Sequence, residues 1–164
     1  LRIGQLDYHT EGLLLLTNDG DYSRYLELPA NSIPRRYRVQ VYGRVDLDGL
    51  VIVGDESRIA ALRHSNIVNG VRYQGCLIKR DSGTIAESQL VYHSSQRRKG
   101  TNWCVESFID HEVKILMGFV GLQVLKLMRT DFGAYSIGNL SQGEFREVRP
   151  IPLDRVKNIH PFSF

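Results

Sequence analysis

Cysteine is scarce in this chain. Only Cys76 and Cys104 occur in 164 residues, too few for a disulfide framework and at no zinc-binding spacing, so a reducing compartment, the cytoplasm, is expected. No apolar run approaches the roughly 18 residues that a membrane-spanning helix needs, and no charged-then-apolar leader opens the sequence, so no membrane partner is expected. Repeats and low-complexity tracts are missing, which excludes solenoid and array architectures. Excess charge is scarce as well: 21 Lys+Arg against 18 Asp+Glu leaves +3, a mild pull toward an anionic partner such as RNA. With 42% hydrophobic residues the chain can build one substantial core, and a single domain is expected.

The chain is organised around its first segment, GQLDYHTEGLLLLTNDG, from Gly4 to Gly20. Asp7 lies in a turn-rich stretch ahead of Leu13, Leu14, Leu15 and Leu16, the most apolar run present. Gly12 in front and Asn18, Asp19 and Gly20 behind bound that run, which reads as a buried strand. Asp7 is thereby pinned on a loop beside it, where a carboxylate can be held rigidly and partly desolvated. Aspartates in such positions also cap turns, and residue chemistry alone favours that reading.

Further along, Tyr22, Tyr25, Leu26 and Leu28 fall at helical spacing before Pro29. In RRYRVQVYG, Tyr37, Val39 and Val41 alternate with Arg36, Arg38, Gln40 and Tyr42, which predicts a strand with one apolar and one polar face. Periodicity makes Tyr37 a core residue. Leu47, Leu50, Val51 and Val53 suit a helical face, Val71 to Lys79 a strand, residues 81–83 a turn and Glu87 to His93 a partner strand. Ser94 to Asn102 is a basic loop carrying Arg97, Arg98 and Lys99, equally a solvated hairpin turn or an RNA phosphate contact. Asn102 to Phe108 reads as a strand, His111 to Phe119 as a helix with Val113, Leu116, Met117 and Val120 on one face, and Gln123 to Phe132 as a long strand.

The opening segment resembles the catalytic motif of the RsuA-type ribosomal RNA pseudouridine synthases, G-R-L-D-x-x-T-E-G-L-L-L-L-T-N-D-G. Every defined position matches except Gln5, which stands where the family has arginine. The likeness continues through Tyr37 in an R/K-x-Y-x-V setting, through Leu127, Arg129 and Gly133 in L-x-R-x-x-x-G, and through Gly138 to Val148 in G-x-L-x-x-G-x-x-R-E-V. A second departure lies at Ile109 to Ile115, where relatives carry a dense basic cluster. Counting back from Gly121 and Leu122, Lys114 falls where the family has the arginine that it supplies to the catalytic aspartate. A surface lysine snorkelling beside the core is the equal alternative.

The resemblance implies an α+β fold, a mixed, mostly antiparallel sheet bent into two lobes around a catalytic cleft. It implies a catalytic domain over residues 1–164, here a fragment, since full-length relatives carry a small basic RNA-binding domain and linker in front. It further implies isomerisation of a uridine in ribosomal RNA to pseudouridine, by a monomer, without metal or organic cofactor. Asp7 would be the catalytic aspartate, Tyr37 would pack on the target base and Lys114 would balance the carboxylate, with Arg129 the next cation in line. Gln5, Arg35, Arg36, Arg38, Arg97, Arg98, Lys99 and Arg129 would face RNA. Two other functions compete: a non-catalytic RNA-binding relative, and a sugar hydrolase whose carboxylate pair, Asp7 and Glu11, would have to face one cavity at about 5 to 9 Å.

Overall fold

A computed structural model of the chain describes residues 1–43, 66–73, 77–80, 101–107, 110–119 and 122–159. The alternation around Tyr37 and Val39 produces β4 (Arg35–Gly43), the spine of the main sheet. On one side β4 pairs antiparallel with β8 (Thr101–Ser107), which in turn pairs with β7 (Leu77–Arg80). On the other side it pairs antiparallel with β9 (Leu122–Phe132). The far edge of β9 takes β10 (Tyr135–Ser136) antiparallel and β2 (Thr10–Gly12) parallel. The sheet is therefore mixed and mostly antiparallel, as expected. Two antiparallel ribbons stand apart from it, β1 (Arg2–Ile3) with β3 (Leu15–Leu16) and β5 (Asn66–Val68) with β6 (Val71–Tyr73).

Helix α1 (Gly20–Glu27) starts directly after Asp19. The Asp19 carboxylate accepts from the backbone N–H groups of Asp21 and Tyr22 at 3.0 and 3.1 Å, satisfying donors that the first turn otherwise leaves open. Its apolar side enters a core of Ile3, Leu13, Leu26, Ile33, Phe132 and Val156 that joins both ends of the chain. Helix α2 (Asp110–Phe119) packs on β9, β8 and β5, burying Val113, Leu116 and Met117 at the expected helical spacing. Among the described residues no helix is long and apolar enough to cross a membrane.

Two expectations change. The leucine run is not a buried strand: Leu13 is buried, but Leu14 and Leu16 are exposed, and only Leu15 and Leu16 are extended in a ribbon at the protein's edge. The single strand expected from Val71 to Lys79 is instead β6 in a hairpin and β7 in the main sheet. The helix expected at Leu47 to Val53, the turn at 81–83, the strand at Glu87 to His93 and the residues Arg97, Arg98 and Lys99 lie outside the described residues.

Candidate active site

Asp7 opens a tight turn, closed by the Thr10 N–H donating to the Asp7 carbonyl at 2.9 Å, with Tyr8 and His9 at its corner. From that turn the chain enters β2 and runs along β9 in the register Thr10 to Leu127, Glu11 to Met128 and Gly12 to Arg129. The glycine is required here. Gly12 sits at φ +110°, and a Cβ on it would overlap the Arg129 carbonyl, which the Leu13 N–H also reaches at 2.8 Å. The half-buried Asp7 is thus carried on a loop pressed against the centre of β9.

Arg129 holds that loop at both ends. Its Nη2 donates to the Gly4 carbonyl at 2.7 Å and its Nε to the Leu13 carbonyl at 3.0 Å, so one guanidinium brackets the segment that carries Asp7. The same arginine lies opposite Tyr37 across the β4–β9 pair, and residues directly opposite in such a pair project to one face. Tyr37, Arg129 and Gly12 therefore form one row across three strands, with Tyr37 and Arg129 both fully buried. A bulge sharpens the arrangement: Arg36 pairs with Asp131 but Tyr37 with Arg129, leaving Thr130 as the extra residue next to the row. The Thr130 hydroxyl is occupied locally, donating to the Asp131 carboxylate at 2.6 Å. Phe132 completes the support, with the Arg35 and Arg129 guanidiniums 4.6 and 5.1 Å from its ring centre.

The expected site residues separate into groups. Tyr37 lies opposite Arg129, and Arg129 in turn brackets the segment that carries Asp7. Lys114 is not part of this arrangement: it is half-buried on α2, and among the described residues no hydrogen bond or ion pair joins it to Asp7. The physical reason is topological, since α2 packs on β9, β8 and β5 while the Asp7 turn is held by β2 at the outer edge of β9. Arg129 and Arg36 are corrected as RNA contacts, because neither offers surface to a polynucleotide. Arg129 has no exposure, and Arg36 is buried with its Nη1 3.8 Å from the Asp131 carboxylate. Gln5 is exposed and Arg35 and Arg38 are half-buried.

A groove of about 610 Å³ lies beside the motif, lined by Glu11 to Leu16 on one wall and by Tyr135 to Ile137 and Leu140 to Val148 on the other. Asp7 is not among its lining residues, so Asp7 and Glu11 do not share this cavity, and a carboxylate-pair hydrolase loses the arrangement it would need there. Sequence reasoning missed the Thr130 bulge and the role of Phe132. Leu127 to Phe132 are all buried although Arg129, Thr130 and Asp131 are polar, so no hydropathy pattern in the sequence announces the bulge.

Comparison with known proteins follows the same outline. Residues 2–112 match the family model described as RNA pseudouridylate synthase. An uncharacterised RNA pseudouridine synthase of Rickettsia felis is 30% identical over 158 residues, covering 94% of this chain and 58% of that protein. The ribosomal large subunit pseudouridine synthase E of Xanthomonas campestris is 29% identical over 150 residues, covering 87% of this chain and 74% of that protein. Among solved structures, a pseudouridylate synthase crystal structure superposes with a TM-score of 0.69 at 21% identity, covering 94% of this chain and 58% of that one, which supports the fold. The chain spans little more than half the length of the Rickettsia relative.

Proposed function

The chain belongs to the RNA pseudouridylate synthase family, and from that membership we propose that it converts a uridine in RNA, ribosomal RNA by analogy with the Xanthomonas relative, to pseudouridine. The observation that carries the reading is the Arg129 bracket: a buried guanidinium holds both ends of the loop bearing Asp7 and lies in one row with Tyr37. Isomerisation needs such a loop. The bond between the anomeric carbon and the base nitrogen breaks, the uracil turns, its C5 bonds to the same carbon, the C5 proton leaves and a proton returns to the base nitrogen. No electrons are gained or lost overall, so one ionised carboxylate at the sugar is the central demand.

Asp7 meets that demand either by attacking the anomeric carbon or by taking a proton from the neighbouring ribose carbon. In both routes the carboxylate must be charged and must stay in place while the base turns. A fixed guanidinium that holds both ends of its loop limits the loop's motion. Tyr37 is fully buried in the same row, so it lies beside Arg129 and packs on the freed uracil or assists removal of the C5 proton only where substrate opens the row. A uridine in folded RNA has to leave its stack to reach these groups, and Gln5, Arg35 and Arg38 are the candidates to hold the strand open.

The test is Asp7→Asn, which keeps shape and removes the reactive charge. Pseudouridine formed in unmodified ribosomal RNA transcripts is measured by nucleoside chromatography, with thermal melting as the folding control. The variant is expected to be inactive and folded. Activity within about tenfold of wild type overturns the catalytic role of Asp7, and RNA binding without turnover in the wild-type chain points to the non-catalytic relative.

A further inference from the structure

The corner of the Asp7 turn carries residues that turn geometry does not ask for. Glycine, proline, asparagine, aspartate and serine dominate such positions, because they set or tolerate the backbone angles. Here they are Tyr8 and His9, and Tyr8 is 95% exposed, with almost none of its ring in contact with the protein. The two rings meet edge to face, their centroids 4.7 Å apart and their planes at 84°. That contact sets the tyrosine ring against His9 without covering it, leaving an aromatic face in solvent one residue from Asp7. A large apolar surface with no packing role, next to a reacting group, is a place for a ligand's flat face.

We propose that Tyr8, set against His9, is a stacking platform for an unpaired RNA base flanking the target uridine. The inference rests on the RNA reading above. If the ribose of the target meets Asp7, the neighbouring nucleotide in the strand passes over the neighbouring residues in the turn. Extrusion of the target uridine removes that neighbour's own stacking partner, and an exposed aromatic ring restores it. Stacking of this kind tolerates any base, since each has a π-face, so the platform positions the strand and does not read its sequence. Because Tyr8 makes little contact with the fold, its removal leaves the rest of the site intact.

The experiment uses the 164-residue chain and a fluorescein-labelled RNA hairpin whose loop holds one uridine, with a parallel hairpin carrying 2-aminopurine beside that uridine. Tyr8→Ala is expected to melt like the wild type, to raise the Kd for the hairpin about tenfold and to lose the quenching of 2-aminopurine that stacking produces. Tyr8→Phe and Tyr8→Trp should stay within about twofold in both. His9→Ala should weaken the quench partly. An unchanged Kd and quench in Tyr8→Ala overturns the proposal, as does a loss in Tyr8→Phe equal to that in Tyr8→Ala, which would assign the role to the hydroxyl. Quenching without pseudouridine formation in the wild type leaves the platform standing and removes the isomerase reading; pseudouridine formation without quenching does the reverse, and a chain that neither binds nor converts RNA overturns both.

Discussion

Arg129 and Gly4 stand 125 positions apart in the chain and are joined by a 2.7 Å hydrogen bond from guanidinium to carbonyl. The same side chain reaches Leu13, so the segment between those two residues is closed into a loop by one charged group. Hydrogen bonds from charged donors are among the stronger ones, and here both are made by a side chain with no solvent exposure.

Arg129→Lys tests whether the bracket matters to chemistry. A lysine keeps the charge but cannot span two carbonyls from one planar group. The variant is expected to fold with a lowered Tm and to lose at least about a hundredfold in pseudouridine formation, near 2.7 kcal/mol of transition-state stabilisation. Arg129→Met removes both charge-assisted bonds, at roughly 1.5 to 3 kcal/mol each, and should fail to fold stably. Wild-type activity in the lysine variant would show that the loop holds without the fork.

Lys114→Met is expected to be nearly silent, within about twofold in turnover and about 0.5 kcal/mol in stability, as for other substitutions away from an ion pair. The alkaline rescue that would follow if Lys114 kept Asp7 ionised should be absent, and a pH–rate profile measured on both proteins checks this. A shifted acidic limb would restore Lys114 to the site.

The lysine shows where sequence reading reached its limit. The motif placed Asp7, and the alternation around Tyr37 placed β4 and its buried face, because both signals are local. The partner of the motif is not local. It comes from β9, more than a hundred residues away, in a parallel pairing that no short-range pattern announces. Arg36 was misread for a related reason: alternation assigns it to a polar face, but β4 lies between two strands and Asp131 supplies a countercharge that buries it. The leucine run was misread because four apolar residues in a row suggest burial whether they enter a core or line an open groove.

Thr10→Val should leave stability unchanged or raise it by up to about 1 kcal/mol. The Thr10 hydroxyl is buried and among the described residues its oxygen has no hydrogen-bond partner, so the isosteric methyl removes an uncompensated polar group. Denaturant melts of the two proteins measure the difference. A loss above about 1 kcal/mol would show that the hydroxyl is bonded in solution.

Tyr22→Phe addresses the attachment of the C-terminal segment. The Tyr22 hydroxyl donates to the Ile151 carbonyl at 2.8 Å and lies 2.7 Å from the Tyr135 hydroxyl, which accepts from the Ile151 N–H at 2.9 Å. Burial, then the hydrogen bond and charge of Tyr135, push the Tyr22 ionisation well above its ordinary value. The folded chain therefore keeps this proton where the unfolded chain has lost it, so stability is fully present below about pH 10 and declines as pH rises beyond it. The variant is expected to be about 1 to 2 kcal/mol less stable at neutral pH and to show a shallower alkaline decline, read by thermal melts across pH.

The parallel contact between β2 and β9 also sets a clock. During synthesis the segment bearing Asp7 emerges first, yet the strand it lies against and the arginine that closes its loop are added more than a hundred residues later. At elongation rates of roughly 5 to 20 residues per second, several seconds or more separate the two events. Throughout that interval the nascent chain carries every atom of the motif and lacks the bracing that β9 and Arg129 supply, and contacts of such long sequence separation are the slow ones to form. The candidate catalytic loop is consequently assembled at the end of folding, so a chain that stops short of β9 is expected to remain inert toward RNA that an intact chain would modify.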